Sequence, residues 1–449
     1  MRPNAITLSY LDEVTRRGLP AQELIDLAHR SFDLSRTTYS GHCLSRPAFL
    51  DYAERAQIEH DVSTLQDMLT SLPTRMFGGD MAAFARAVGM TPAQVTAIQC
   101  STGPAVTRLC RVDTYPDETG FKIMESNHGS PIGALDSARL NRAFLSHPLV
   151  AEFAAAHRLS YDDPMVKMVK TLWAECGLEE GAKPLMAAVD VPEVFSELEP
   201  QLRYSAEQLA ELGVEIIPCH LGQLELRDRR VWVDGRPIDV IYRIFLIEDM
   251  LTPEGEELIM PVLKAAERGE VTIFTPMDGH LYGSKGALAM LSDEINRHLF
   301  IEAELDVLDR FVPWTRMVRP GPVTVGGETA ELLEYAAAER ENLIHKPTLM
   351  HGGIGVEAGW LTEPADWDAR LKAAVDGPFV LQRRIRPPTE AFPGPGGMED
   401  WVLGWGVFLG TEGFGGSSVR GHQGIDVGVP SVAARMASLT CSFYQEAPV

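Results

Sequence analysis

Four polar side chains recur at alternate positions in two short segments that a turn would connect. Arg111 and Asp113 lie in CRVDT, and Glu125 and Asn127 lie in FKIMESN, with PDETG between them. Because strand side chains alternate between faces, any even register of a hairpin puts all four on one face. A turn centred near Glu118 would place Arg111 opposite Glu125. Such oxygen ligands suit Mg²⁺ that also holds nucleotide phosphates, although a solvated hairpin with an ordinary ion pair fits the same pattern.

A second group combines two lysines with a run of glycines. Lys346 ends the predicted strand LIHKPT, and Gly352, Gly353 and Gly355 follow it within a few residues. Lysine supplies a point charge for phosphate, and glycines let backbone N–H groups approach the oxygens. Lys285 opens a predicted helix, whose N-terminus also favours anions. The lysine precedes the glycines, so this is not a Walker A loop, and each feature alone also fits an ordinary turn or a solvated lysine.

Signatures of covalent catalysis and of structural zinc are missing from the sequence. It contains no Gly-x-Ser-x-Gly, and Cys110 lies in a predicted strand with no evident base nearby. The six cysteines are scattered without a C-x-x-C pair, which argues against a zinc knuckle or a disulfide framework. These absences fit a site that needs no covalent enzyme nucleophile.

Composition restricts the class of protein and its partners. With 449 residues, 45% hydrophobic and 23% charged, the chain reads as globular, with two or three domains. No apolar run approaches the roughly 20 residues that cross a bilayer, and the net charge of -23 disfavours nucleic acid and anionic membranes. Asp12 and Glu13 interrupt the first apolar stretch, so we expect no secretory signal and a cytoplasmic location. The oligomeric state cannot be read from these features.

The elements that would position these residues fall into four regions. Residues 1–104 show helical periodicity, and Thr91 with Pro92 makes a good helix start. Residues 105–180 hold the hairpin and further helices. Residues 181–265 read as a small Rossmann-like α/β domain, because LMAAVDV, SAEQLAELG and VEIIP form a strand, helix and strand. Residues 266–449 hold both lysines, with single helices predicted over SKGALAMLSDEINRHL and ETAELLEYAAAEREN and a final helix over VPSVAARMASLTCSFYQ.

In this order, the motifs resemble those of the glutathionylspermidine synthase-like, circularly permuted ATP-grasp proteins. RVD and MESN resemble the family's metal-ligand elements, which precede the nucleotide lysines. GSKGALAML, HKPTLMHGGIGV and FVLQRRI resemble the two lysine elements and the strand before the adenine-binding hinge. DVIYRIF resembles a segment of the domain that precedes ATP-grasp. The resemblance covers roughly residues 105–430 and implies an α/β ATP-grasp fold in permuted order, with a Rossmann-like pre-ATP-grasp domain and a helical N-terminal region.

The resemblance implies a role for each matching residue. Metal ligands would be Asp113, Glu125 and Asn127. Arg111 would contact the transferring phosphate, and Arg420 in GSSVRG would face an acyl phosphate. Nucleotide phosphates would be held by Lys285, Lys346 and the glycines Gly352, Gly353 and Gly355. Gln382 would lie near the adenine hinge, although a solvated strand glutamine is equally compatible.

The implied activity is an ATP- and Mg²⁺-dependent ligase that joins a small carboxylate, amino-acid-like or peptidic, to an amine and releases ADP and phosphate. The partners would be these small molecules, with no nucleic acid and no membrane. Two alternatives remain at this stage: an ATP-grasp-like protein that binds a nucleotide or peptide without turnover, and a regulator that uses its helical N-terminus.

Overall fold

The structure is a computed structural model that describes residues 3–31, 42–101, 106–129, 133, 135–179, 181–375, 377–424 and 437–448. Within these ranges, no helix is both long and apolar enough to span a membrane. The chain forms a mixed α/β protein. Its two larger antiparallel sheets and one parallel sheet provide the surfaces on which the candidate site is built.

The helices begin where side chains cap the first free backbone N–H groups. Asp51 and Glu54 form a capping box at the start of one long helix, and Thr91 and Gln94 form another at the position that the sequence predicts. The α-helices are α1 (Ala5–Arg17), α2 (Ala21–Ser31), α3 (Tyr52–Phe77), α4 (Met81–Ala87), α5 (Pro92–Cys100), α6 (Leu135–Leu145), α7 (Pro148–His157), α8 (Pro164–Glu175), α9 (Pro192–Glu211), α10 (Pro253–Glu267), α11 (Gly279–Tyr282), α12 (Lys285–Ser292), α13 (Glu302–Phe311), α14 (Leu332–Ala338) and α15 (Pro364–Ala374).

The strands concentrate in the middle and C-terminal parts of the chain. They are β1 (Ala48–Leu50), β2 (Cys110–Asp117), β3 (Gly120–His128), β4 (Leu159–Ser160), β5 (Leu185–Asp190), β6 (Glu215–His220), β7 (Glu225–Arg227), β8 (Arg230–Val233), β9 (Arg236–Ile238), β10 (Val240–Arg243), β11 (Thr272–Phe274), β12 (Thr315–Met317), β13 (Pro322–Val325), β14 (Glu328–Glu331), β15 (Leu343–Pro347), β16 (Glu357–Ala358), β17 (Phe379–Arg383), β18 (Thr389–Gly394), β19 (Gly397–Gly410), β20 (Gly413–His422), β21 (Ser438–Thr440) and β22 (Ser442–Gln445).

Three sheets carry the functional region. The largest has six strands in the order β21-β20-β19-β2-β3, with β18 also paired to β19, and it is antiparallel. A second antiparallel sheet has the order β12-β17-β15-β16. A parallel sheet has the order β11-β10-β5-β6, so the predicted strand, helix and strand of β5, α9 and β6 are confirmed. Its strand β11 lies beyond residue 265, where the sequence placed the boundary of this unit.

The β2–β3 hairpin puts its four polar residues on one face, as the even-register argument predicts. The register is nevertheless shifted from the expected one, since Arg111 lies opposite Asn127 and Asp113 lies opposite Glu125. The expected pairing of Arg111 with Glu125 is therefore wrong by two residues. Two changes of one residue each cause the shift. The turn centres between Glu118 and Thr119, since Asp117 pairs with Gly120, and a bulge between Asp113 and Thr114 accommodates one extra residue in β3.

The helical N-terminal region is part of the main core. Leu65, Leu69 and Leu72 of α3 are fully buried in the same hydrophobic cluster as Val407 and Phe414 of the six-stranded sheet. Strand β1 pairs in parallel with β22 near the C-terminus. The predicted helices between residues 5 and 100 are confirmed within the described residues, but their apolar faces pack on the sheets.

Two helix predictions in the C-terminal half are confirmed only in part, and a third is wrong. The helix predicted over residues 284–299 is α-helical to Ser292, and Glu294–Leu299 forms a 3-10 helix. The helix predicted over ETAELLEYAAAEREN forms as α14, but its first segment, ETAE, forms β14 in a hairpin with β13. In the predicted C-terminal helix, residues 429–436 lie outside the described residues, and Ser438–Thr440 and Ser442–Gln445 form strands.

The C-terminal strands follow a period of two that the helical interpretation overlooked. Leu439, Cys441 and Phe443 are buried in one hydrophobic cluster. The intervening residues form polar contacts: the Thr440 hydroxyl donates to the Arg46 carbonyl at 2.6 Å, and the Ser442 and Ser417 hydroxyls lie 2.6 Å apart. An extended strand produces this alternation, because its successive side chains point to opposite faces.

We expect Phe443→Ala to lower the free energy of unfolding by about 3–5 kcal/mol, since it removes a buried aromatic ring and leaves a cavity. Phe443 is 1% exposed, whereas Met398 is 53% exposed. Met398→Ala is therefore the control, with an expected change within about 0.5 kcal/mol. Urea denaturation followed by circular dichroism measures both values. Equal stability of the two variants would contradict the buried C-terminal strand.

Candidate functional site

The candidate site lies where the β2–β3 hairpin, α12 and the β15–β17 pair meet. Helix α12 contacts β3, β12 and β17, so it connects the two antiparallel sheets. The Ser284 hydroxyl caps α12 by accepting from the Gly286 N–H at 3.0 Å. The Lys285 N–H donates to the Thr348 carbonyl at 2.8 Å, just after β15 ends. These bonds hold Lys285 between the hairpin and the strand that carries Lys346.

Asp113 is the centre of one half of the site. Arg111 donates to both of its carboxylate oxygens, with Nε–Oδ1 at 2.6 Å and Nη2–Oδ2 at 2.8 Å. The Asn127 amide donates to Oδ2 at 3.2 Å, and Nη2 of Arg420 lies 3.5 Å from the same oxygen. Two guanidinium groups thus surround one buried carboxylate. Arg420, which the resemblance assigned to an acyl phosphate, is part of the same cluster as the hairpin residues.

Glu125 is the centre of the other half. Its Oε2 lies 3.1 Å from Nζ of Lys285. Nζ of Lys346 donates to Oε1 of Gln382 at 2.7 Å and to the Met124 carbonyl at 3.2 Å, next to Glu125 in the chain. The Gln382 amide donates in turn to the Thr315 hydroxyl at 3.2 Å. This bond fixes the orientation of the amide, so that its oxygen faces Lys346.

The charges of these groups shift their pKa values. Burial favours the neutral form of Glu125, but the ammonium groups of Lys285 and Lys346 outweigh it and lower the pKa of Glu125 to about 2. Burial lowers the pKa of Lys346 to about 8, while Glu125 opposes this change and Lys285 adds to it. At neutral pH Glu125 and Lys346 are therefore both charged. Keeping Lys346 protonated costs folding free energy below pH 8, and this cost disappears as the pH rises from about 8 to 10.5.

The site carries an excess of positive charge in an acidic protein. Two arginines and two lysines face two carboxylates, Asp113 and Glu125. The whole chain has a formal net charge of -23. Like charges that are brought together in this way, and partly removed from water, are stabilised by an anionic ligand. The geometry can therefore bind an anion such as phosphate and neutralise negative charge that develops on it.

Glycines in β19 make room for the Asp113 cluster. Gly406 lies opposite Asp113 in the sheet, and a Cβ atom there would be 2.8 Å from Cδ of Arg111 and 3.0 Å from Oδ1 of Asp113. A Cβ atom on Gly404 would be 3.2 Å from the Tyr115 ring. A side chain at position 406 would displace the bidentate ion pair of Arg111 with Asp113, and one at position 404 would displace the Tyr115 ring. The sequence contains a signal for the space beside Asp113, because Gly404 and Gly406 alternate with Trp405 in a strand. This signal was not used in the sequence analysis above.

The glycine loop after β15 has backbone that only glycine adopts easily. Gly352, Gly353 and Gly355 have φ angles of 61°, 71° and 72°. A Cβ atom on Gly355 would also be 2.9 Å from Cγ of Pro347. Turn bonds from Ile354 N–H to the His351 carbonyl and from Val356 N–H to the Gly353 carbonyl close the loop at 3.2 and 3.1 Å. The loop directly follows the Lys346 strand, as the sequence predicts.

The structure brings together most of the residues that the sequence selected. The hairpin residues, both lysines, Arg420 and Gln382 form two charge clusters on the same hairpin. Nζ of Lys285 also donates to the carbonyl of Met350, just before the glycine loop, at 3.1 Å. Gln382 contacts Lys346, which the sequence did not indicate. Residues near the site that sequence reasoning missed are Thr315, Gly406, Glu248, His280 and His351. Gly406 has the signal of alternating glycines described above. The other four are distant in the sequence or belong to types with many ordinary roles, so no local pattern marks them.

Comparisons with known proteins identify the fold. No family model matches the chain, and no curated protein sequence matches it either. A glutathione synthetase-like effector from Globodera pallida, solved in its apo form, aligns with 94% of this chain and 96% of its own, at 12% identity and a TM-score of 0.56. A candidate γ-glutamylcysteine synthetase from Methylobacillus flagellatus KT aligns with 84% of each chain, at 12% identity and a TM-score of 0.42. The first match establishes a shared glutathione synthetase-like fold over most of the chain; the second, with its lower TM-score, does not.

We expect Glu125→Gln to lower the pKa of Lys346 further below about 8, because the Glu125 carboxylate is the group that raises it. An NMR titration of ¹³Cε-labelled lysine measures this pKa, with Lys346→Arg to assign the signal. Glu412→Gln is the matched control, since Glu412 pairs with Lys167 and Lys170 in an exposed cluster. An unchanged Lys346 titration in Glu125→Gln would show that the two groups are not coupled.

Proposed function

We propose that this protein is an ATP-dependent carboxylate–amine ligase with an ATP-grasp fold in circularly permuted order, acting through an acyl phosphate. The observation that carries the proposal is the site itself, in which four cationic side chains from two sheets and one helix surround two carboxylates. The fold shared with a glutathione synthetase-like effector supports it. So does the order of the motifs, because the hairpin precedes both lysines in the chain.

The two halves of the site take different roles in this proposal. Lys285, Lys346 and the glycine loop hold the nucleotide phosphates. Arg111 and Arg420 lie beside Asp113, where they neutralise charge on the phosphoryl group in transfer and on the acyl phosphate. Gln382, on β17, would lie near the adenine hinge, and its bond to Nζ of Lys346 gives it the further role of positioning that ammonium.

The residues present fit a magnesium ion. Asp113 and Glu125 are directly opposite on one face of the hairpin, and the Asn127 side chain reaches the Asp113 carboxylate. Two carboxylates and an amide oxygen from one rigid face, together with phosphate oxygens, match the preference of Mg²⁺ for hard oxygen ligands. When bound, the ion would supply positive charge to the phosphates and orient them.

The proposed reaction has two steps. A substrate carboxylate oxygen attacks the γ-phosphorus of ATP, the bond from that phosphorus to the bridging oxygen breaks, and ADP leaves. The amine then attacks the carbonyl carbon of the acyl phosphate, phosphate leaves with the bonding electrons, and the amine loses a proton. The protein aligns the reactants and neutralises charge, without forming a covalent bond to either. The substrates are a small amino-acid-like or peptidic carboxylate and an amine.

A nucleotide- or peptide-binding protein without turnover remains the alternative. The N-terminal regulator hypothesis gains no support, because the α3 residues Leu65, Leu69 and Leu72 are buried against the main sheet.

The proposal predicts that ADP, and not AMP with pyrophosphate, forms when ATP, magnesium and a productive substrate pair are supplied. A screen of carboxylate and amine pairs with a coupled ADP assay identifies the pair, and chromatography of the nucleotides identifies the product. Asp113→Asn and Glu125→Gln should reduce turnover by about a hundredfold or more, since each removes one ligand charge. Glu412→Gln on the surface should keep full activity. Stoichiometric AMP would overturn the acyl-phosphate route, and tight ATP binding without turnover over the whole screen would favour the binding protein.

We expect Lys346→Ala to weaken ATP binding about ten- to a hundredfold, the equivalent of roughly 1.5–3 kcal/mol for a charge-assisted phosphate contact. Lys372 lies exposed on α15, so Lys372→Ala should leave the affinity unchanged. Calorimetric titration of both variants with ATP and magnesium provides the comparison. Equal affinities would remove Lys346 from the nucleotide site.

A further inference from the structure

A cluster of two histidines and one glutamate lies outside the two charge clusters described above. Glu248 belongs to a 3-10 turn, Ile247–Leu251; His280 belongs to the short helix α11; and His351 opens the glycine loop. One possible ligand atom from each residue lies within 4.8 Å of the others. Residues from three separate segments thus converge on one point.

The ligand types differ from those of the hairpin. Two imidazoles with one carboxylate are a donor set for Zn²⁺, Co²⁺ or Fe²⁺, whereas Mg²⁺ prefers oxygen ligands alone. Three protein ligands leave an open position for water or a substrate atom. The cluster therefore has the composition of a transition-metal site and not of a second magnesium site.

The surroundings leave one ligand oxygen unsatisfied and one side open. Oε2 of Glu248 is buried and has no hydrogen-bond partner among the described residues, while Oε1 of the same carboxylate contacts Nδ1 of His351. A buried carboxylate oxygen without a partner is costly unless a cation or donor meets it. His280 is 5% exposed, whereas the side chain of His351 is 38% exposed, so the site has an entry path on the His351 side.

The charge around the cluster is negative. Asp190, Asp249, Asp278 and Glu248 surround the single guanidinium of Arg243. Oδ1 of Asp278 is also buried without a hydrogen-bond partner among the described residues. A bound cation would offset this negative charge.

The Nε2 atom of His280 has a lone pair that could bind an ion. Nη1 of Arg243 lies 2.9 Å from Nε2 of His280, and since arginine can only donate, Nε2 is the acceptor. An ion at Nε2 would replace this one contact. Arg243 would keep the bond from its Nε to the Thr275 carbonyl, at 2.6 Å, because this bond does not involve the His280 ring.

We propose that Glu248, His280 and His351 bind one divalent transition-metal ion of the zinc class, and that this ion fastens the start of the glycine loop to the 247–251 turn and to α11. Metal binding is independent of the proposed ligase activity. The ion would restrain the glycine loop, which the proposed function assigns to the nucleotide phosphates. An occupied metal site would therefore restrict the movement of this loop.

The test uses the full-length chain, stripped with a chelator and without nucleotide. Titration with Co²⁺ should give one equivalent bound with visible d–d absorption, which Zn²⁺ abolishes by displacement and excess Mg²⁺ does not. His280→Ala, His351→Ala and Glu248→Gln should each weaken Co²⁺ binding by more than about a hundredfold. His298→Ala is the control, because His298 is an exposed histidine outside the cluster. Circular dichroism of the metal-free variants checks that they fold.

Hydrogen exchange tests the effect on the loop. In the unsubstituted chain, Zn²⁺ should slow hydrogen exchange in peptides that cover residues 247–251 and 349–356. In the His351→Ala variant, Zn²⁺ should leave the exchange rates of the same peptides unchanged. Binding that survives in His280→Ala and His351→Ala, or absence of Co²⁺ absorption in the unsubstituted chain, would overturn the metal site. Unchanged exchange on Zn²⁺ binding would overturn the fastening of the loop. ADP release plays no part in either readout, so failure of the ligase proposal is distinguishable from failure of this one.

Discussion

The arrangement of the whole site depends on the Glu125 carboxylate. Lys285 and Lys346 come from α12 and β15, and without a negative charge nearby their ammonium groups would repel each other in a poorly solvated place. Glu125 contacts Lys285 directly and lowers the cost of charging Lys346. The hairpin, the connecting helix and the second sheet therefore meet at one carboxylate. The same carboxylate favours the protonated form of Lys346 and orients Lys285 before any ligand arrives.

Under the proposed function, ligand binding becomes an exchange of ionic partners. A metal–nucleotide complex carries cationic and anionic parts, so the carboxylates can turn to the cation while Lys285 and Lys346 turn to phosphates. The cost of taking these side chains out of water has already been met in folding. The bidentate contact of Arg111 with Asp113 gives the other half of the site the same property. Gly406 permits this by leaving the space above β19 free of a side chain.

Sequence periodicity predicted what depends on neighbouring residues and missed what depends on tertiary contacts. Alternation placed Arg111, Asp113, Glu125 and Asn127 on one face. Neither the centre of the turn nor the bulge has a signal in composition, so the partner of Arg111 was misassigned by two positions. The glycine loop was found because positive φ angles require glycine. The final strand was taken for a helix, since its pairing partner β1 lies nearly 400 residues earlier in the chain. Glu248, His280 and His351 converge only through the fold.

The contrast between the site and the rest of the molecule restricts what can enter. A net charge of -23 produces a long-range field that repels free anions, and salt reduces it beyond about 8–10 Å. The excess of cations near Asp113 and Glu125 acts only at shorter range, because it is small and partly buried. A nucleotide whose charge is reduced by a bound metal meets less repulsion on approach than free nucleotide does. A cationic amine is attracted from a distance but must then contact a site already neutralised by the first ligand. Under the proposed function, this distribution of charge would therefore favour binding of a metal–nucleotide complex in the cationic site before the amine.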